Sequence, residues 1–189
     1  MKTRLSIVLT ALLLTACGPI IGAGMVAGNG VKDFKVVSGD LQDLQIGSRL
    51  VLLSPFAKTS QSFYICRGED ASEFADAFNA AGLFVAEVAF GEPEGRNLRE
   101  VEKLQALSPA DLQSQLALSA APQVLLTGTI LKRETVAAPV QGVLMKVAYR
   151  LEFLRLDDGM KTVVEVAVQD HFQDCIATAV KELLRRKGI

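Results

Sequence analysis

The stretch Val143-Leu144-Met145-Lys146-Val147-Ala148-Tyr149-Arg150-Leu151-Glu152-Phe153 alternates apolar and polar side chains with period two. Val143, Met145, Val147, Tyr149, Leu151 and Phe153 fall on one side of an extended chain, and Lys146, Arg150 and Glu152 on the other. Successive strand residues face opposite sides of a sheet, so this pattern predicts a strand with one buried and one wet face. Asp157-Asp158-Gly159 then supplies a hairpin turn. Thr162, Val164, Val166 and Val168 continue as the returning strand. A helix over 173–187 follows, with Ile176, Val180, Leu183 and Leu184 at helical spacing. Arg185, Arg186 and Lys187 sit where a helix favours positive charge, and Gly188 ends it.

Upstream, Arg49 to Pro55 reads as a buried-type strand and 123–135 as another. Between them, Asp70 and Glu73 form a capping-box pattern for a helix over 70–81, which buries Phe74, Phe78 and Ala81. Gly82 stops that helix, and residues 83–90 return to strand. A helix over 97–107 presents Leu98, Val101 and Leu104. Ser108 caps a second helical piece that starts at Pro109 and runs to about Ser119. Residues 31–38 and 62–66 read as further short strands. The expected order is β-α-β-α-β-β-β-α: an α/β (α+β) domain with a mixed sheet and helices packed on it.

The 189 residues carry 20 basic and 21 acidic side chains and one histidine. That balance gives no broadly basic surface, so no nucleic-acid partner is expected. A single histidine excludes a multi-histidine metal site within one chain, and no cofactor is expected. Gly22, Gly24 and Gly28 imitate a dinucleotide-binding run, but the segment before them reads as an export signal rather than a strand, and no acidic residue at the end of a second strand completes the site. Walker, G-x-S-x-G and EF-hand patterns do not occur.

Lys2 and Arg4 precede a short apolar run, Leu5 to Leu14, which is too short to span a bilayer as a helix. This reads as an export signal. The ending Leu14-Thr15-Ala16-Cys17 resembles the bacterial lipobox, the alternative being a plain secretory signal with a cysteine beside its cut. The resemblance implies cleavage before Cys17, a diacylglycerol on its sulfur and acylation (palmitate) of the new amino terminus. Residues 1–16 are then signal peptide, 17–30 a lipidated Gly-rich tether, and 31–189 a single periplasmic domain. Cleavage leaves 18 basic against 21 acidic residues. Several acyl chains give stable anchoring, whereas one is marginal. Gly18, where an Asp would retain an enteric lipoprotein in the inner membrane, implies the outer membrane by that family's rule.

Export leaves Cys66 and Cys175 in an oxidising compartment, as a disulfide or as two buried thiols. Residues 119–130, Ser-Ala-Ala-Pro-Gln-Val-Leu-Leu-Thr-Gly-Thr-Ile, resemble the "Ala-Asp-hydrophobic-Thr/Val-Gly" strand of a group of periplasmic domains. The group includes the TolB amino-terminal domain, the curli-secretion lipoprotein and the lipoprotein activator of penicillin-binding synthases. Its meander with an Asp-x-Gly turn and its terminal helix correspond to Asp157-Asp158-Gly159 and the last helix. Pro122-Gln123 stands where an Ala-Asp pair is usual. The group has no common catalytic residues, so no active site is carried over and no enzyme is expected. The resemblance implies an adapter that binds another envelope protein, of unspecified identity, or a homo-oligomeric envelope component. Cysteine chemistry would instead need His171, flanked by Asp170 and Asp174, beside Cys66 or Cys175.

Overall fold

The alternating stretch becomes the inner face of a long strand at the middle of a seven-stranded mixed sheet. The computed structural model describes residues 28–62, 69–92, 98–138 and 142–189. The strands are β1 (Gly30–Ser38), β2 (Ser48–Leu53), β3 (Ala57–Lys58), β4 (Phe84–Ala89), β5 (Val124–Ala138), β6 (Gly142–Arg155) and β7 (Lys161–His171). The helices are α1 (Asp70–Ala80), α2 (Leu98–Gln105), α3 (Pro109–Gln115) and α4 (Cys175–Lys187). Across the sheet the order is β1-β7-β6-β5-β2-β4, with β3 pairing β5 beyond the end of β2. The β1, β7, β6 and β5 neighbours are antiparallel, whereas β2 runs parallel to both β5 and β4. The expected α+β class with helices on a mixed sheet is therefore what the chain adopts.

Two cores follow from this topology. The larger joins Leu50, Leu52, Leu126, Val147, Tyr149, Leu151 and Phe153 of the sheet to Phe74 and Phe78 of α1 and Ile176, Val180 and Leu183 of α4. An aromatic chain stitches it, with Phe74 edge-on to Tyr149 at 5.0 Å and Phe78 edge-on to Phe84 at 5.3 Å. The smaller core lies on the opposite face, where Val51, Leu53, Ala89 and Leu125 meet Leu104 and Leu112 of α2 and α3. Because β2 is covered on both faces, its sequence is continuously apolar from Leu50 to Leu53, as a buried parallel strand requires.

Several local expectations shift. Ala81 is exposed and caps α1 rather than packing. Helix α3 stops at Gln115, and Ala117 takes a left-handed φ of 52°. Val143 is 60% exposed, and Leu144 is buried beside it. The outer face of β6 and β7 carries a charge ladder instead of a helix. Arg150 meets Glu152 at 3.1 Å and Glu165 at 3.3 Å, and Lys161 meets Glu152 at 2.6 Å. Close packing fixes Gly128, where an added Cβ would lie 2.4 Å from the Phe56 ring. The basic end of α4 holds the first strand in place. Arg186 lies over Phe34 at 5.2 Å, and Lys187 donates to the Leu41 carbonyl at 3.0 Å. Gly188 closes the helix with φ 85°.

Candidate functional site

Residues 119–124, the first half of the 119–130 stretch that resembles the periplasmic group, form the floor of two adjoining clefts. One, of about 250 Å³, runs along β4 and is lined by Val51, Val85, Glu87, Leu118 and Ala120. The other, of about 320 Å³, opens at the start of β2 and β5 and is lined by Gln45, Pro109, Ala121, Arg155 and Leu156. Arg49 and Pro122 belong to both. Gln123 fixes this floor by pairing with β2. It donates its N–H to the Arg49 carbonyl at 2.8 Å, and its side-chain oxygen accepts the Arg49 N–H at 3.0 Å. On the other side, Glu87 accepts from the Ser119 N–H at 3.1 Å and from its hydroxyl at 2.7 Å. The Arg49 guanidinium is exposed and has no partner among the described residues. Apolar walls with one unspent cation suit an apolar ligand that also carries an acceptor or a negative charge.

Beside these clefts β4 is an edge strand, and among the described residues no strand pairs with its outer side. Asn79 protects part of that edge by imitating a strand. Its amide donates to the Ala86 carbonyl at 2.9 Å and accepts the Ala86 N–H at 2.8 Å. Further along, Val85 is 61% and Phe90 74% exposed. Exposed edges bearing apolar side chains are ready positions for another chain.

A second polar group was not legible in the sequence. Asp70, read there as a helix cap, makes no capping bond and is buried instead. It forms an ion pair with Arg133 and accepts the Tyr149 hydroxyl at 2.9 Å, while Arg133 also donates to that hydroxyl at 3.1 Å. Burial, and then the Asp70 charge, push the Tyr149 phenol well above its ordinary range. Burial and the same charge raise Glu73. The cause of the surprise is a bulge in β5. The register slips between Ile130 and Lys132, which turns Arg133 inward where strict alternation would have turned Lys132.

Cys17 and Cys66 lie outside the described residues, and with them the lipidation and disulfide expectations. Cys175 opens α4, is buried, and directs its thiol at the backbone carbonyls of His171 (3.4 Å) and Met145 (3.7 Å). Burial pushes this thiol up to about 11, the reverse of an activated nucleophile. The thiol thus meets the His171 backbone, where a nucleophile–base pair requires the ring. His171 ends β7, at the strand-to-helix corner, with its Nδ1 facing Asp170 at 3.7 Å and Asp174 at 3.8 Å. No helix among the described residues is long and apolar enough to cross a membrane.

No protein-family model and no curated protein matches this chain. Among solved structures it is similar to the PelC dodecamer from Paraburkholderia phytofirmans. That likeness has 16% identity and a TM-score of 0.50, and covers 82% of this chain and 96% of that one. It is also similar, at 9% identity and a TM-score of 0.43, to the lipoprotein GNA1162 from Neisseria meningitidis, over 74% of this chain and 98% of that one. At such identities the PelC likeness is one of fold.

Proposed function

We propose that this chain is a lipid-anchored bacterial envelope protein, tethered through Cys17 to the outer membrane and facing the periplasm, that works by binding another envelope protein. The observation that carries this reading is the β4 side of the domain. There an open edge with exposed Val85 and Phe90 adjoins a cleft bearing the unspent Arg49 guanidinium. The lipobox resemblance at 14–17 and the resemblance of 119–130 to periplasmic adapters point the same way.

A second reading is a homo-oligomer. The similar PelC forms a dodecamer, and the two edges of this sheet, β1 and β4, lie at opposite ends. Unlike surfaces joined head to tail make rings when the rotation closes. Crosslinking in intact cells, purification from the membrane fraction and mass spectrometry separate the two. A different envelope protein in comparable abundance, lost on Arg49→Glu with melting temperature unchanged, supports the adapter. A ladder of self-crosslinks alone supports the ring. A protein that stays uncrosslinked in the membrane fraction overturns both.

A further inference from the structure

The charges around Arg49 are already matched to one another. Arg155, which lines the larger cleft, is paired with Asp157 and Asp158. Glu87, which lines the smaller, accepts from the backbone N–H and the hydroxyl of Ser119. The Arg49 guanidinium is left as the unmatched charge, at the boundary that Arg49 and Pro122 form between the two clefts.

The floor leaves a second set of groups unused. Among the described residues, the main-chain N–H and C=O groups of Ala120 and Ala121 make no hydrogen bond. Each of these alanines lines one of the clefts, Ala120 the smaller and Ala121 the larger. Consecutive main-chain donors and acceptors are of no use to an acyl chain, whereas a second stretch of backbone pairs with them. The sizes point the same way. At about 250 and 320 Å³ the clefts lie at or below the bottom of the roughly 300–1,000 Å³ range of small-molecule sites. They lie side by side, as two apolar hollows with a cation between them.

We propose that the segment bound here is an extended stretch of a partner protein in which one acidic side chain is flanked by apolar ones. Its backbone pairs along Ala120 and Ala121, and its carboxylate meets the Arg49 guanidinium, which can bind both oxygens at once. Its apolar side chains fill the hollow beside Val85 and Leu118 and the hollow beside Pro109 and Leu156. Residues two apart in an extended chain share a face, about 6.6 Å from one another. The recognised pattern is therefore apolar-x-acidic-x-apolar. The inference rests on the reading of this side of the domain as a protein-binding surface, and names the chemistry of the partner.

The test pans a phage library of short random peptides against the full chain, solubilised in detergent. Enriched peptides should share one Asp or Glu with Leu, Ile, Val or Phe two positions away on each side. In fluorescence anisotropy the most enriched peptide should bind Arg49→Glu at least about tenfold more weakly than the parent, as expected for losing a bond to a charged group. It should bind Arg150→Glu, altered on the bare face of the sheet, as it binds the parent. A consensus without an acid, equal binding by Arg49→Glu or equal weakening in Arg150→Glu would each overturn the proposal. So would native mass spectrometry of the membrane-purified protein that finds a lipid held by the parent and lost in Arg49→Glu. If one of these occurs while crosslinking in intact cells still captures a different envelope protein, the adapter reading stands and this segment falls. If the crosslinks also fail, both fall.

Discussion

The two halves of the sheet solve burial differently. In the parallel half, β4, β2 and β5 are sandwiched between α1 on one face and α2 with α3 on the other, and both cores meet there. In the antiparallel half, β6 and β7 are covered by α4 on one face only, and the other face is a ladder of charges. That ladder is internally compensated, since Arg150 and Lys161 are each matched to a carboxylate. The parallel half instead ends at the open edge strand β4, with Val85 exposed on it, Phe90 exposed just after it and the unmatched Arg49 on the neighbouring β2. The larger bare face is thus chemically quiet, and the smaller edge is the surface left with unsatisfied chemistry.

Substitutions sharpen this contrast. The largest effect is expected at the buried ion pair, where Arg133→Met strands the Asp70 carboxylate and should cost about 3–5 kcal/mol in urea unfolding. Leu125 is fully buried in the smaller core, and Leu125→Ala should cost about 2–5 kcal/mol through the cavity it leaves. Gly128→Ala drives a methyl into the Phe56 ring and should cost about 1–3 kcal/mol as overpacking.

A smaller loss is expected from Glu182→Gln. The Arg185 and Arg186 guanidinium groups hold the Glu182 carboxyl at about 2, below its ordinary 4.5. A depressed carboxyl stabilises the fold above its unfolded value and loses that contribution as pH falls through the folded one. The difference in melting temperature between parent and Glu182→Gln should therefore be constant above pH 5 and shrink between about 4.5 and 2. Smallest of all, Arg150→Ala on the bare face should stay within about 1 kcal/mol in the same unfolding assay. A loss as large as that of Leu125→Ala would mean the face is covered in the assembled protein.

The same contrast explains what was legible in the sequence. Alternation at 143–153 announced a half-wet strand, and the unbroken Leu50-Val51-Leu52-Leu53 run announced a strand buried on both sides. Ser108 with Pro109 gave the start of α3, where Ser108 accepts the Asp111 N–H. Two classes of feature stayed hidden. A bulge leaves no mark in a periodicity, so the inward turn of Arg133 is not legible, and the Asp70–Glu73 spacing reads as a cap instead. Contacts between distant segments were equally silent. The meeting of Asn29 with Asp170 across 141 residues depends on which strands become neighbours. The Arg49 cleft is invisible in the sequence for the same reason, although the residues that floor it, 119–124, open the 119–130 stretch that carries the resemblance.

The most direct test places a photo-crosslinking amino acid at Val85 on the β4 edge or at Arg150 on the bare face, in the lipidated full-length protein in cells. Adducts to one discrete species from position 85, and none from position 150, are the predicted result. Adducts from position 150 with none from position 85 would contradict the assignment of contact to the parallel half.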